Sequence, residues 1–240
     1  MALTKVIGDG LGDTNDLTVD TSTLKVDSTN NRVGILEASP QAPLHITTGA
    51  NTNIMRFGAD ARWGFQRANS DNRYLSLSRA MNGTPSSVMV VDGDNGAITK
   101  PLQPAFLVQP TSAQNDISHG SNQTIIFNNE RFDVGSNFAS NTFTAPITGK
   151  YFLSYSLWVS NIDNQPSYWE TYIITSNRNY LYTIDPRAFD QDAGSFTFNN
   201  SLIADMDSGD TAKIQILQQN SGTEQSDIQN YSFFSGALIC

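Results

Sequence analysis

The stretch "NTFTAPITGKYFLSYSLWVS", Asn141 to Ser160, decides the fold. From Tyr151 onward it alternates with period two, which predicts one long strand with two distinct faces. Tyr151, Leu153, Tyr155, Leu157 and Val159 point one way and read as core. Phe152, Ser154, Ser156, Trp158 and Ser160 point the other way. Two large aromatics among serines make neither a free surface nor a standard interior, so a second burial partner is expected, and the partner it suits is an identical chain. Ahead of the strand, Pro146 presets φ for a turn, and Thr148-Gly149 is expected to supply the left-handed residue that closes it.

Outward from this strand, apolar residues recur at spacing two, interrupted every few residues by Gly, Asn, Asp, Ser and Thr. Nine scattered prolines argue against long helices. The class is all-β. Residues 104–240 hold strands expected near 105–109, 123–128, 131–134, 141–145, 150–160, 168–176, 179–185, 196–205, 211–219 and 230–239. That spacing suits a two-sheet jelly-roll sandwich with Greek-key connections. The proline-rich "KPLQPAFLVQP" marks its boundary.

Residues 51–103 read as a small β domain, with Asn82-Gly83 and Asn95-Gly96 fitting tight turns. Arg56, Arg62, Arg67, Arg73 and Arg79 recur through it, either as a docking face or as solvated sheet. In residues 1–50, Leu17-Val19, Leu24-Val26 and Val33-Ile35 are short strand-like pieces, and "DSTNN" (Asp27 to Asn31) is turn chemistry. A ribbon this thin cannot bury a core alone and is expected to wind into a shaft with copies of itself, with the N-terminal end as attachment segment.

Net charge is −9. The first hundred residues carry nine basic and ten acidic side chains, the remainder five and thirteen. An acidic C-terminal part is a poor surface for phosphate backbones, so no nucleic acid is expected there. The N-terminal "MALTKVIGDGLG" lacks the apolar run of a signal peptide, and no stretch approaches a membrane span; a soluble chain without membrane insertion is expected. Cys240 is the lone cysteine, so no disulfide can form within the chain.

Two resemblances sharpen the reading. "LKVDSTNNRVGI" followed by "SPQAPLHI" (Leu24 to Ile35, Ser39 to Ile46) resembles a segment common in bacteriophage tail-fibre and related virion fibre proteins. Leu36-Glu37 stand where that segment usually has Gly-Thr, so the local turn is expected to differ. "RFDVGSNFASNTFTAPITGKYFLS" resembles the signature of the globular heads of complement component q, which share the tumour necrosis factor jelly roll. The matching positions are Phe132-Asp133, Phe143, Pro146, Gly149, Tyr151 and, one place early, Phe152. "SLIADMDSGDTAKIQI", with its turn at Gly209-Asp210, and the closing Ser232, Phe234, Ser235, Gly236 and Leu238 continue it. No collagen-like Gly-X-Y run precedes the domain. The resemblances imply a homotrimer, with Tyr151, Phe152 and Phe234 near the contact. They imply a virion location (the host cytoplasm during assembly), other virion proteins bound through the N-terminal region, and a distal head facing host-surface glycan or protein. The other reading is a capsid-decorating or tail-assembly component without a receptor.

Little points to catalysis, and no enzyme is expected. His45 and His119 have no ligand-spaced partners, there is no Gly-x-Ser-x-Gly, and "TGKY" lacks the frame of a phosphate loop. "DGDNG" (Asp92 to Gly96) departs from the calcium-loop pattern and reads as a hairpin turn. Asp185, Asp190 and Asp192 share one loop and are the weak calcium candidate; no other cofactor is implied. For stacking on sugars the candidates by residue type are Trp158, Tyr168, Trp169, Tyr180 and Tyr182.

Overall fold

A computed structural model describes residues 17–19, 23–47, 53–57, 63–68, 74–81, 84–219 and 226–240. The chain divides into two compact units, Met1–Pro101 and Leu102–Cys240. Among the described residues the sole helical element is a 3-10 turn at Pro186–Ala188, and no helix is long and apolar enough to cross a membrane. The Asn82-Gly83 turn, Arg62 and Arg73 lie outside the described residues, as do the side chains of Arg56 and Arg67.

The first unit contains two sheets. One joins β1 (Leu17–Val19), β2 (Leu24–Asp27), β3 (Arg32–Ile35) and β4 (Leu44–Ile46) in that order. The β2–β3 hairpin closes where Asp27 Oδ1 accepts the Asn30 N–H at 3.0 Å and Asn31 turns at φ +53°. β4 then runs parallel to β3 rather than continuing an antiparallel ribbon. Between them the chain folds so tightly that a Cβ on Gly34 would sit 2.2 Å from the Glu37 carbonyl oxygen. Leu36 takes φ +55°, the conformation a glycine adopts without cost. A residue with a Cβ holds it at about 1 kcal/mol of backbone strain. Glu37 holds it by accepting the Ser39 N–H and the Thr47 hydroxyl, both at 2.8 Å.

The other sheet runs in sequence through β5 (Asn53–Phe57), β6 (Trp63–Ala68), β7 (Tyr74–Met81), β8 (Thr84–Asp92) and β9 (Ile98–Thr99). The "DGDNG" segment is the β8–β9 turn. Asp92 O accepts from Gly96 N–H at 2.8 Å, the Asp92 carboxylate accepts from Asp94 N–H, and Gly96 sits at φ +73°.

The second unit is a two-layer antiparallel sandwich. Its strands are β10 (Ala105–Gln109), β11 (Gln114–Ile117), β12 (Gln123–Thr124), β13 (Asn129–Asp133), β14 (Phe138–Ala139), β15 (Thr142–Thr144), β16 (Gly149–Ile162) and β17 (Tyr168–Thr175). They continue with β18 (Asn179–Ile184), β19 (Ala193–Met206), β20 (Thr211–Gln219), β21 (Ser226–Ile228) and β22 (Phe233–Leu238). One sheet aligns β13, β10, β22, β16 and β19, with β21 and β11 at the far end of β16. The other aligns β14, β15, β20, β17 and β18, with β12 beside β20. The pieces at β11 and β21 were not expected as strands, and a single strand over 123–128 shrinks to two residues.

The inner face of β16 is buried without exception from Tyr151 to Val159. Phe106 centres an aromatic cluster, with ring centroids 4.6 Å from Phe143, 4.9 Å from Phe234 and 5.4 Å from Phe138. Polar ties join in: the Tyr151 hydroxyl donates to the Ile147 carbonyl, and Tyr155 shares a hydrogen bond with Thr171 across the two sheets. Burial pushes the Tyr155 phenol up to about 12.

Gly149 corrects the sequence expectation. It is extended, not left-handed, and opens β16. Its need is space: a Cβ there would lie 2.6 Å from the Cys240 carbonyl oxygen and 2.7 Å from Leu238 Cδ1. The left-handed glycine is Gly209, at φ +95°, in the Gly209-Asp210 turn. Asp210 fastens that turn to its neighbours. Its carboxylate accepts from Ser176 Oγ at 2.7 Å, from Asn177 Nδ2 at 2.6 Å and from Asp207 N–H at 2.8 Å. These bonds, Ser176's first, hold the carboxyl below its usual value. A folded-state pKa below the unfolded one stabilises above the unfolded value of about 3.9 and is lost as pH falls through the folded value. Asp210→Ala is therefore expected to lower the melting temperature at neutral pH, and the gap to wild type to narrow as pH falls below about 3.9 and through the folded value. Thermal unfolding across that pH range checks it.

Candidate functional site

Among the described residues of the second unit, no strand layer covers the outer face of the β16 sheet. Hydrogen-bond register sets its rows. One row runs Ala105–Ala237–Phe152–Ile203 and the next Phe132–Leu107–Ser235–Ser154–Ser201. Beyond them come Phe233–Ser156–Asn199 and then Trp158–Thr197. Phe152 is 42% exposed, Ile203 61% and Phe132 49%. At the other end Trp158 packs on Tyr231, which is itself 73% exposed, with ring centroids 5.7 Å apart. This aromatic pair is pinned from below, where the Trp158 N–H donates to Ser232 Oγ at 3.0 Å and Trp158 O accepts from Gln229 N–H.

Between the two apolar ends lies a serine and asparagine trough. Its shallow cavity of about 320 Å³ is lined by Ser154, Tyr155, Asn199, Asn200, Ser201 and Phe233. None of these is a histidine, cysteine or carboxylate, so the serines have no base beside them. With each exposed aromatic counted at about 150–250 Å², the large apolar and aromatic residues leave roughly 600 Å² in water. That approaches the roughly 800 Å² each partner gives to a standard interface. At its edge Lys150 and Asp205 pair at 2.5 Å, next to Phe152 and Ile203 in the register.

The residues singled out by sequence do not converge. Phe152 and Trp158 lie on this face. Tyr151 and Phe234, expected near a contact between copies, are fully buried core residues; they occupy the inward phase of β16 and β22, so no partner chain can touch them directly. Trp169 is likewise removed from the stacking candidates. It is fully buried and stacked on Phe198 at 6.0 Å. Tyr168 is half-buried on the outer face of the opposite sheet. Tyr180 packs on the core margin, and Tyr182, 39% exposed, meets Phe198 edge-on. Tyr231, missed in sequence, is the most exposed large side chain of the face.

The aspartate loop does not gather ligands. Asp185 takes the Arg187 guanidinium at 2.8 and 2.9 Å and also caps the 3-10 turn, while Asp192 accepts the Asn164 N–H at 2.9 Å. Among the described residues no group of three His, Cys, Asp or Glu is placed to hold a metal. Asp185 and Asp192 are thus engaged in local hydrogen bonds.

The second unit is thus an antiparallel two-sheet sandwich whose β16 sheet has exposed aromatic and aliphatic side chains on its outer face. The family model for the C1q domain matches residues 105–239, more than half of the chain, and the chain belongs to that family. C1q- and tumour-necrosis-factor-like domains typically form homotrimers and are generally non-enzymatic ligand-binding or structural modules. Among solved structures the chain is similar to the globular domain of zebrafish complement 1qA protein: 18% identity, 57% of this chain and 98% of that one covered, TM-score 0.42. It is also similar to murine APRIL at pH 8.5, with 8% identity, 57% and 99% covered and TM-score 0.41. No curated protein matches the chain.

Proposed function

We propose that this chain is the subunit of a homotrimeric virion fibre or spike whose C1q-type head sits distally and meets the host cell surface. The observation that carries the homotrimer is the open face around Phe152, Ile203 and Trp158, apolar at both ends of a sheet whose other side is already closed by the core. Family habit supports threefold packing over that face. The tail-fibre resemblance of residues 24–46 supports the virion setting, with attachment to other virion proteins through the N-terminal region. If copies cover this face, the opposite sheet remains outward. There Tyr168, Tyr172 and Glu170 share one side of β17, with the Tyr172 hydroxyl donating to Glu170, a pairing of aromatic and carboxylate that suits glycan or protein contact.

The scattering of the aromatic candidates favours a second reading, a capsid-decorating or tail-assembly component without a receptor. Light scattering on the full chain separates self-association from its absence: three times 26.2 kDa is expected, and a single-chain mass would overturn both readings. Binding of the labelled full chain to host cells then separates the two, since the receptor-free component would show none.

A further inference from the structure

The turn between β3 and β4 lies on the polar face of its sheet, and one histidine holds its middle. Register places Lys25, Gly34 and His45 in one row of that face, with Asp27 opposite Arg32 in the next. Gly34 has no side chain, so the turn lies down in the gap it leaves, with the Glu37 carbonyl oxygen where a Cβ would need space. Further on, the Pro40–Gln41 peptide is tied at both ends. Its carbonyl oxygen accepts from Arg32 Nη1 at 2.9 Å, and its N–H donates to His45 Nδ1 at 3.2 Å. The Gln41 side chain adds a bond from Nε2 to the Ser39 carbonyl at 3.0 Å. The Glu37 carboxylate, which already accepts from Ser39 N–H and Thr47 Oγ1, stands with Oε2 4.0 Å from the same His45 Nδ1.

We infer that His45 is a pH-operated latch on this turn: neutral, it accepts the Gln41 N–H; protonated, it releases that N–H and offers its new Nδ1–H to Glu37. A ring nitrogen that accepts a hydrogen bond carries no proton, so the neutral ring is the Nε2–H tautomer. Protonation places the second proton on Nδ1, and two hydrogens then point at each other across the 3.2 Å contact. Glu37 is ready as the new acceptor. Its Ser39 N–H and then its Thr47 hydroxyl hold the carboxyl below its usual value, so it stays ionised while a histidine titrates. The other charges on this face are Lys25 and Asp27 from β2 and Arg32 from β3, and Arg32 is already engaged on the Pro40 carbonyl. Loss of the Gln41 bond leaves the Pro40–Gln41 peptide fixed at its carbonyl end only. Acidification therefore loosens the middle of the turn while Glu37 keeps its base closed. The latch operates within one chain, whatever the chain's state of association.

The test is NMR of the full chain, labelled with nitrogen-15 in histidine and glutamine alone and titrated from about pH 8 to about pH 5, the span in which histidines change charge. The chain has two histidines, so His119→Asn leaves His45 as the single ring signal, and Gln41→Glu identifies the Gln41 amide. At the upper end His45 is expected as the Nε2–H tautomer. On acidification the Gln41 amide proton is expected to move upfield, with the same midpoint as the His45 ring nitrogens. His45→Asn should abolish that movement and His119→Asn should keep it. A Gln41 amide that stays still while His45 titrates would overturn the latch, and so would an Nδ1–H tautomer at pH 8. Where His45→Asn does not fold, the shared or separate midpoints of the unaltered chain decide the matter.

Discussion

Full-length protein carrying Phe152→Glu and Ile203→Glu together is expected to elute as a single chain of 26.2 kDa. The two residues face each other across β16 and β19 and are 42% and 61% exposed. Being already at the surface, they can be charged without disturbing the sandwich. In the assembly the same charges would be desolvated, and copies meeting about an axis would bring like charges together. Such juxtaposition costs several kcal/mol, roughly 100-fold or more in association. Sizing with light scattering reads the mass, and circular dichroism confirms that the β signal is kept. A variant that stays at three chains would move the head interface away from this face. Loss of the β signal would make Phe152→Ser with Ile203→Ser the variant to measure.

How far this face could be read from sequence follows from what strand alternation encodes. The phase of β16 was legible because five apolar residues in strict alternation admit one inward assignment. Phe152 and Trp158 then had to face outward, and they do. β17 was not legible in this way. In "YWETYIIT" one phase holds two rings, Glu170 and Ile174, the other one ring, Ile173 and two threonines, with no clear winner. Packing settles it by placing Thr171 inside, where it bonds Tyr155, and Trp169 against Phe198. Tyr168 and Glu170 go out as a consequence. Tyr231 was invisible for a different reason, because its partner Trp158 lies on a strand far off in sequence, and only register brings them together.

The glycines show the same limit. Sequence marks Gly149 as a residue without a Cβ but does not say whether conformation or space requires it; the answer lies in Cys240 and Leu238, at the other end of the domain. Leu36 is the converse case, a left-handed backbone conformation held by a residue that has a Cβ. In β7 the serines of "LSLS" are buried while Leu75 is 47% exposed, a phase that depends on which face is already closed. That information belongs to the neighbouring strands.

Phe234 and Phe152 were indistinguishable as contact candidates, and a pair of truncations separates them. Phe234→Ala is expected to destabilise the head by about 3–5 kcal/mol, the range for removing a buried phenyl and leaving a cavity. The ring touches Phe106 at 4.9 Å, Phe127 at 6.0 Å and Phe138 at 6.3 Å. The aromatic cluster around it cannot close the space without moving two sheets. For a unit of this size each kcal/mol shifts the melting point by a few degrees, so a drop on the order of 10–15 °C is expected. That drop should not depend on protein concentration beyond what wild type shows, because the loss lies inside one chain. Phe152→Ala should behave oppositely, with little change in the fold of each chain and a melting point and mass that fall on dilution as copies separate. Melting curves over a hundredfold range of concentration read both. An equal concentration dependence in the two variants would mean that Phe234 contributes to the contact through the sheet it supports, and that core and interface unfold as one unit.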